Sequence, residues 1–280
     1  MTWHSDVPPE VPRVGPGGYA LAVVRGVPLA LWVFGLLGLH MLVRLIERPL
    51  AGLNRPVSPW ITVIVCRGAL WLMGLPMEVR GPRMTGQGAM VANHSSWLDI
   101  FALNAIEPLY FVSKSEVAGW PGVGVLAKAT GTLFIRRERR EAAAQQRLLE
   151  ERLSARHRLM FFPEGTSTDN LRVAPFKTTL FGVFYSGALA EEMEVQPISV
   201  AYHPPAGAEP RYYGWWGDMG FGLNLVKVLA TRRQGSVEVI RHAPIRVAAM
   251  PDRKSLARAA EAAVREGLET AKRALAKGGA

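Results

Sequence analysis

Ala89-Met90-Val91-Ala92-Asn93-His94-Ser95-Ser96-Trp97-Leu98-Asp99 is the stretch on which the architecture of this 280-residue chain turns. Its first four residues form a short apolar run that reads as a buried strand, and Trp97 to Ile106 reads as a helix. The change from strand to helix falls on a histidine. Such turns place side chains at the carboxyl end of a sheet, where open α/β folds keep their ligand sites. Four residues separate His94 from Asp99. With His94 just before the helix and Asp99 in its first turn, the two side chains can meet across the cap. An Asp that accepts from one ring nitrogen fixes the tautomer and leaves the other nitrogen as a base for a hydroxyl. Ser96 and Asp99 also form an S-x-x-D capping pattern, which by itself explains both residues as helix-start chemistry.

From Gly88 onward the pattern alternates. Apolar β-type runs occur at Met90-Val91, 109–112, 132–135, 159–162, 195–202 and 237–240. Helical candidates lie between most of them, at 97–106, 121–129, 139–156, 176–190 and 222–231. Strands alternating with helices imply an α/β domain with a largely parallel sheet flanked by helices. Residues 253–277 are Ala-rich with charges at helical spacing, and read as a mostly solvated terminal helix. The expected organisation is a flexible lead over 1–16, an N-terminal membrane anchor over 17–48, an interfacial or core apolar helix over 57–78, the main domain over 79–250, and a C-terminal helix over 251–280.

The anchor rests on Gly26 to Val43, a run without a charged residue that is about 27 Å long as a helix, close to the bilayer core. Pro28 is expected in the first helical turn, where it is tolerated. Asp6 and Glu10 before the run argue against a cleaved signal peptide. Arg44, Arg48 and Arg55 after it, against Arg13 and Arg25 before it, favour the bulk of the protein on the cytoplasmic side. The second run, Trp60 to Met77, is interrupted by Arg67; Trp60 and Trp71 suit an interfacial helix, and a core helix is the alternative. The net charge of +10 suits an anionic membrane surface or nucleic acid. No zinc-finger spacing and no RNA-binding signature is present, which favours the membrane and no nucleic-acid partner. One cysteine, Cys66, excludes an intrachain disulfide, and the six histidines lack metal-ligand spacing.

Two further strand ends carry chemistry. Arg136 and Arg137 follow the apolar run Leu133-Phe134-Ile135, where guanidinium groups suit a phosphate or carboxylate. Phe162-Pro163-Glu164-Gly165-Thr166-Ser167 ends the next strand: Pro163 stops it, Gly165 permits a tight turn, and Glu164 and Thr166 can hydrogen-bond a head group. Each also has an ordinary reading as a strand-to-loop turn. Three successive strand ends bearing polar residues on one rim are difficult to explain by stability alone.

These residues resemble the glycerolipid acyltransferase family of the lysophosphatidic acid acyltransferase type. The family's N-H-x-x-x-x-D matches Asn93, His94 and Asp99. Its G-x-x-F-I-D-R matches Gly131 to Arg137, with Arg136 in place of the acid. Its F-P-E-G-T-R matches Phe162 to Thr166, with Ser167 in place of arginine. Its Pro-bearing fourth strand is similar to Val195-Gln196-Pro197-Ile198-Ser199-Val200. The resemblance spans about residues 85–205. The run Glu164 to Asp169 followed by Pro175-Phe176-Lys177, and Tyr213-Gly214-Trp215-Trp216-Gly217-Asp218, look like the branch that acylates lyso-ornithine lipid.

The resemblance implies a glycerol-3-phosphate acyltransferase-like fold and a membrane-bound O-acyltransferase. His94, oriented by Asp99, would take the proton from a lysolipid hydroxyl, which then attacks the thioester of acyl-carrier protein or coenzyme A. Arg136, Arg137, Glu164, Gly165, Thr166 and Ser167 would form the acceptor site. No metal or other cofactor is implied; the acyl thioester is a co-substrate. Lysophosphatidate is the family's default acceptor and lyso-ornithine lipid the second, because Ser167 cannot carry the charge of the missing arginine. Trp215, Trp216 and Phe221 have three readings: an acyl tunnel, the membrane interface, or ordinary core. A lipid-binding protein without chemistry is disfavoured by the retention of both His94 and Asp99. A serine hydrolase is disfavoured by the lack of a G-x-S-x-G elbow.

Overall fold

The computed structural model describes residues 3–6, 13–136, 138–186 and 189–278. Two apolar helices come first, α1 (Pro16–Ala51) and α2 (Ser58–Met73). The α/β body follows: β1 (Met77–Arg80), β2 (Gln87–Ala92), α3 (Leu98–Asn104), β3 (Tyr110–Lys114), α4 (Val123–Thr130), β4 (Leu133–Ile135), α5 (Ala142–Ser154), β5 (Leu159–Phe161), α6 (Leu189–Glu192), β6 (Met193–His203), α7 (Phe221–Ala230), β7 (Ser236–Arg241), β8 (Ile245–Arg246) and α8 (Arg253–Gly278). The strands form one sheet in the order β1-β7-β6-β2-β5-β3-β4, with β8 beside β6. Pairing is parallel except between β6 and β7 and between β6 and β8.

Both faces of the sheet are covered at its centre, so β2, β5 and most of β6 are buried on both sides. Met90, Ala92, Ile198 and Val200 join the core formed with α1, α2, α3 and α7. Ala89, Val91, Val195 and Ala201 join the core formed with α5 and α8. The period of two along each strand therefore sorts one sequence into two cores.

Four sequence expectations change. Pro28 lies inside α1 rather than in its first turn, because the helix begins at Pro16. The carbonyl of Val24, which a proline cannot reach, is on an exposed residue. The helix expected over 176–190 is instead a 3-10 segment, Leu180–Tyr185, followed by α6. Phe181 and Phe184, three apart, are both fully buried, and a 3-10 turn places such a pair on one face. The C-terminal helix is docked rather than mostly solvated: Leu256, Ala260, Val264, Leu268 and Ala271 are buried on the sheet. Gly267 approaches so closely that an added Cβ would stand 2.3 Å from Ser199 Oγ. Strand β1 begins at Met77, inside the range expected for the second apolar helix.

α1 runs along the body for most of its length. Arg25 donates to the carbonyls of Leu229 and Thr231 (3.2 and 2.6 Å), Trp32 Nε1 to Val65 O (3.1 Å), and His40 Nε2 lies 3.1 Å from Ala129 O. Glu47 Oε1 accepts the N–H groups of Val57 and Ser58 at 2.6 and 2.9 Å. Positions 25, 32, 40 and 47 fall on one stripe of a helix. The opposite face leaves Val24, Leu31, Phe34, Leu42 and Leu45 exposed, continued on α2 by Trp60, Ile64 and Trp71. Part of the lead expected over 1–16 (1, 2 and 7–12) lies outside the described residues.

β6 outruns β2, whose last paired residue is Ala92 against Ile198. Two asparagine side chains finish its open edge. Asn93 Oδ1 accepts Val200 N–H and its Nδ2 donates to Val200 O, both at 2.8 Å. Asn170 repeats the pair on Tyr202 at 3.0 and 2.8 Å. Asn93→Ala would leave a buried N–H and C=O unpaired, at a cost of about 2 kcal/mol or more. Asn93→Asp, which sets a buried carboxylate oxygen against the Val200 carbonyl, is expected to be less stable than Asn93→Ala. Urea denaturation of the three proteins checks the ranking.

Candidate active site

The site lies where β2 and β5, neighbours in the sheet, both end. β2 stops at Ala92, and the turn Asn93 to Trp97 leads into α3. The Asp99 carboxyl group, fully buried, collects four donors. Its Oδ2 accepts His94 Nδ1 at 2.7 Å and the backbone N–H groups of Ser95 and Ser96 at 2.8 and 3.0 Å. Its Oδ1 accepts the Tyr202 hydroxyl at 2.7 Å. One carboxyl group thus meets both the imidazole and the N–H groups just before α3. A carboxylate only accepts, so His94 Nδ1 carries the proton and Nε2 carries the lone pair. Among the described residues, none hydrogen-bonds Nε2. The imidazole is further fixed by stacking on Phe162, with ring centroids 4.1 Å apart at 14°.

β5 supplies the second half. Phe162-Pro163-Glu164-Gly165 turns sharply, with Gly165 N–H on Phe162 O (3.0 Å) and Gly165 at φ +68°. Glu164 faces inward rather than towards a ligand. Its Oε1 accepts His94 N–H at 2.6 Å, and its Oε2 accepts Ala174 N–H at 2.5 Å. Burial, reinforced by nearby Asp99, pushes its pKa up to about 8, although the two backbone bonds pull it down. Thr168 N–H donates to His94 O at 2.9 Å, and Trp215 N–H donates to Ser95 O at 2.8 Å. Both loops that border the turn are thus tied to its backbone.

The remaining expected residues are dispersed. Thr166 Oγ1 accepts the backbone N–H of Trp3 at 3.0 Å. Ser167 adjoins it, with its carbonyl 3.3 Å from Thr166 Oγ1. Arg136 is exposed at the end of β4, the far edge of the sheet, and pairs with Glu141 at 3.2 Å. Arg137 lies outside the described residues. Trp216 is buried, while Trp215 and Phe221 are part-buried and meet edge-on at 6.3 Å. The sequence pattern does not single out Tyr202 or Asn170. The period of two that places Ile198 and Val200 on one face also places Tyr202 there, but no spacing connects it to Asp99.

Residues 77–201 match the protein family described as Acyltransferase. The chain is 54% identical over 266 residues to a lyso-ornithine lipid O-acyltransferase of Rhodobacter capsulatus, covering 95% of this chain and 96% of that one. It is 34% identical over 245 residues to a lyso-ornithine lipid O-acyltransferase of Pseudomonas aeruginosa, covering 87% and 88%. The fold matches the crystal structure of a 1-acyl-sn-glycerophosphate acyltransferase from Thermotoga maritima, with a TM-score of 0.66 over 91% of this chain and 96% of that chain, at 19% identity.

Glu164 gives this arrangement a pH signature. With its pKa raised to about 8, it holds its proton more tightly folded than unfolded, where about 4.3 is usual. Its contribution to stability is full below the unfolded value and is lost as pH rises through about 8. Glu164→Gln cannot titrate. Its melting temperature is expected to lie below that of wild type at pH 5, and the gap to narrow towards pH 9. Scanning calorimetry across that range checks both.

Proposed function

Because this chain belongs to the glycerolipid acyltransferase family, we propose that it acylates the free hydroxyl of lyso-ornithine lipid, with His94 as the base and Asp99 as its orienter. The family's reaction moves an acyl group to a lysolipid hydroxyl at a membrane. The observation that carries the site assignment is the 2.7 Å bond from His94 Nδ1 to a buried Asp99. It leaves Nε2 as the ring nitrogen that removes the acceptor's proton. The oxygen attacks the thioester carbonyl, the thiolate of acyl-carrier protein or coenzyme A departs, and the proton from His94 returns to it. The imidazolium formed in between is stabilised by Asp99 at hydrogen-bond distance.

Lyso-ornithine lipid is placed ahead of lysophosphatidate for two reasons. The two relatives described above, at 54% and 34% identity, carry that name. Ser167 also offers no charge where the phosphate-binding arginine of the motif would stand. The Gly165 to Ser167 turn, beside His94, is the acceptor side of the site in this reading.

The protein is membrane-associated, and we propose that α1 and α2 lie along the cytoplasmic face of the inner membrane with their apolar side in the lipid. The domain-facing stripe of α1 is tied to the body at four points, so only its outer face is available to a bilayer. Leu31→Glu combined with Trp71→Glu places two charges on that face. The double variant is expected to leave the membrane pellet in an alkaline wash that retains wild type.

Acyl transfer by purified, detergent-solubilised protein tests the function. Lyso-ornithine lipid and lysophosphatidate are offered separately with an acyl thioester. Product is expected from the first, with kcat lowered by about 10²–10⁴ in His94→Ala. Product from lysophosphatidate alone would overturn the acceptor, and wild type equal to His94→Ala on both would overturn the reaction.

A further inference from the structure

The N-terminal residues reach the acceptor side of the site from more than 160 positions away. Besides the bond from its N–H to Thr166, Trp3 places its indole under the Arg172 guanidinium, 5.2 Å from Cζ to the ring centroid. It meets Trp216 edge-on at 6.4 Å. His4 lies beside Gly217, which has φ +60°, and an added Cβ there would stand 3.3 Å from His4 Nδ1. Trp3 therefore joins the 166–172 loop to the 213–218 loop, and each of those loops is hydrogen-bonded to the His94-Ser95 turn.

Arg172 is the side chain this arrangement holds in place. Asp169, fully buried, accepts from its Nε at 3.1 Å and its Nη2 at 3.0 Å. Thr168 Oγ1 donates to its carbonyl at 3.1 Å. The Arg172 side chain is nevertheless 54% exposed. Asp169 engages one edge of the fork, and among the described residues no hydrogen bond engages Nη1. Arg136 is the less suitable cation: it is paired with Glu141, and β4 lies two strands beyond β5, about 10 Å away in the sheet.

We propose that Arg172, braced by Asp169 and by the Trp3 indole, binds the anionic group of the acceptor's head group and supplies the charge that Ser167 lacks. A guanidinium already half neutralised by Asp169 suits a monoanion, the carboxylate of an amino-acid head group, better than a phosphate dianion. Trp3 is a positioning residue: it sets the guanidinium plane through the cation–π contact. The proposal rests on the lysolipid-acceptor reading above.

The test is steady-state kinetics of the full chain in detergent, varying lyso-ornithine lipid at saturating acyl thioester. Arg172→Gln is expected to raise the acceptor KM about tenfold or more, with the change in KM rather than in kcat or in the thioester KM. Arg172→Lys retains part of the binding. Trp3→Ala leaves the Arg172–Asp169 pair intact and is expected to raise the acceptor KM several-fold, with Trp3→Phe restoring most of it. Should Arg172→Gln fail to fold because Asp169 is left buried alone, Arg172→Lys and Trp3→Ala decide. An unchanged acceptor KM in these variants, or a parallel loss of kcat and melting temperature, overturns the proposal while wild-type activity still upholds the reaction. A wild type that transfers no acyl group removes both.

Discussion

A single buried carboxyl group, that of Asp99, organises the centre of this molecule. Four donors from two parts of the chain converge on it: the His94 ring with the Ser95 and Ser96 N–H groups just before α3, and Tyr202 from β6. A carboxylate in the interior is tolerated only when its lone pairs are filled. The requirement also works in reverse. A fully satisfied carboxylate fixes every group that satisfies it, so the imidazole inherits the rigidity of the sheet and the helix together. The same contacts raise the Tyr202 hydroxyl well above the usual tyrosine range, through burial and the neighbouring Asp99, so it remains a donor.

Glu164 stands close to Asp99, and the two carboxyl groups have opposite tasks. Asp99 is bonded to the imidazole, whereas Glu164 holds the backbone of that residue and of Ala174. Burial with Asp99 nearby pushes Glu164 up to about 8. In the proposed reaction Asp99 is the carboxyl group that touches the ring, and Glu164 fixes the backbone of the turn that carries it.

The sequence made the α/β class legible because buried parallel strands are short apolar runs separated by helical periods, as at 89–92 and 159–161. It also placed His94 and Asp99, whose spacing alone brings them across a helix cap. What it hid depends on contacts between distant segments. Tyr202 and Asn170 act through β6, and Trp3 acts through loops far along the chain. Glu164 reads as a ligand-facing acid because it follows a strand, but the turn at Gly165 directs it inward. The 176–190 segment reads as a helix by composition, yet two buried phenylalanines three residues apart select the tighter turn. The Ala-rich α8 reads as solvated helix, where in the fold Ala257, Ala260 and Ala271 are buried and Gly267 closely approaches Ser199 of β6.

Hydropathy alone reads α1 as a segment that crosses a bilayer, and its geometry argues for another placement. From Arg25 to Glu47 the helix rises about 33 Å, more than the hydrocarbon thickness of about 30 Å. Over that whole distance its inner stripe is hydrogen-bonded to α7, α2, the end of α4 and the start of α2. A perpendicular α1 would carry those elements, with Arg25 and Glu47 themselves, into a region where unpaired polar groups are not tolerated. Laid in the plane of the interface, the same helix presents Leu31, Phe34, Leu42 and Leu45 to lipid and keeps every polar tie on the protein side. The high hydropathy of α1 then reports two apolar surfaces, one for the core and one for the membrane. In the proposed placement, the body that carries the ends of β2 and β5 is fastened along the length of α1 to the surface that holds the proposed acceptor.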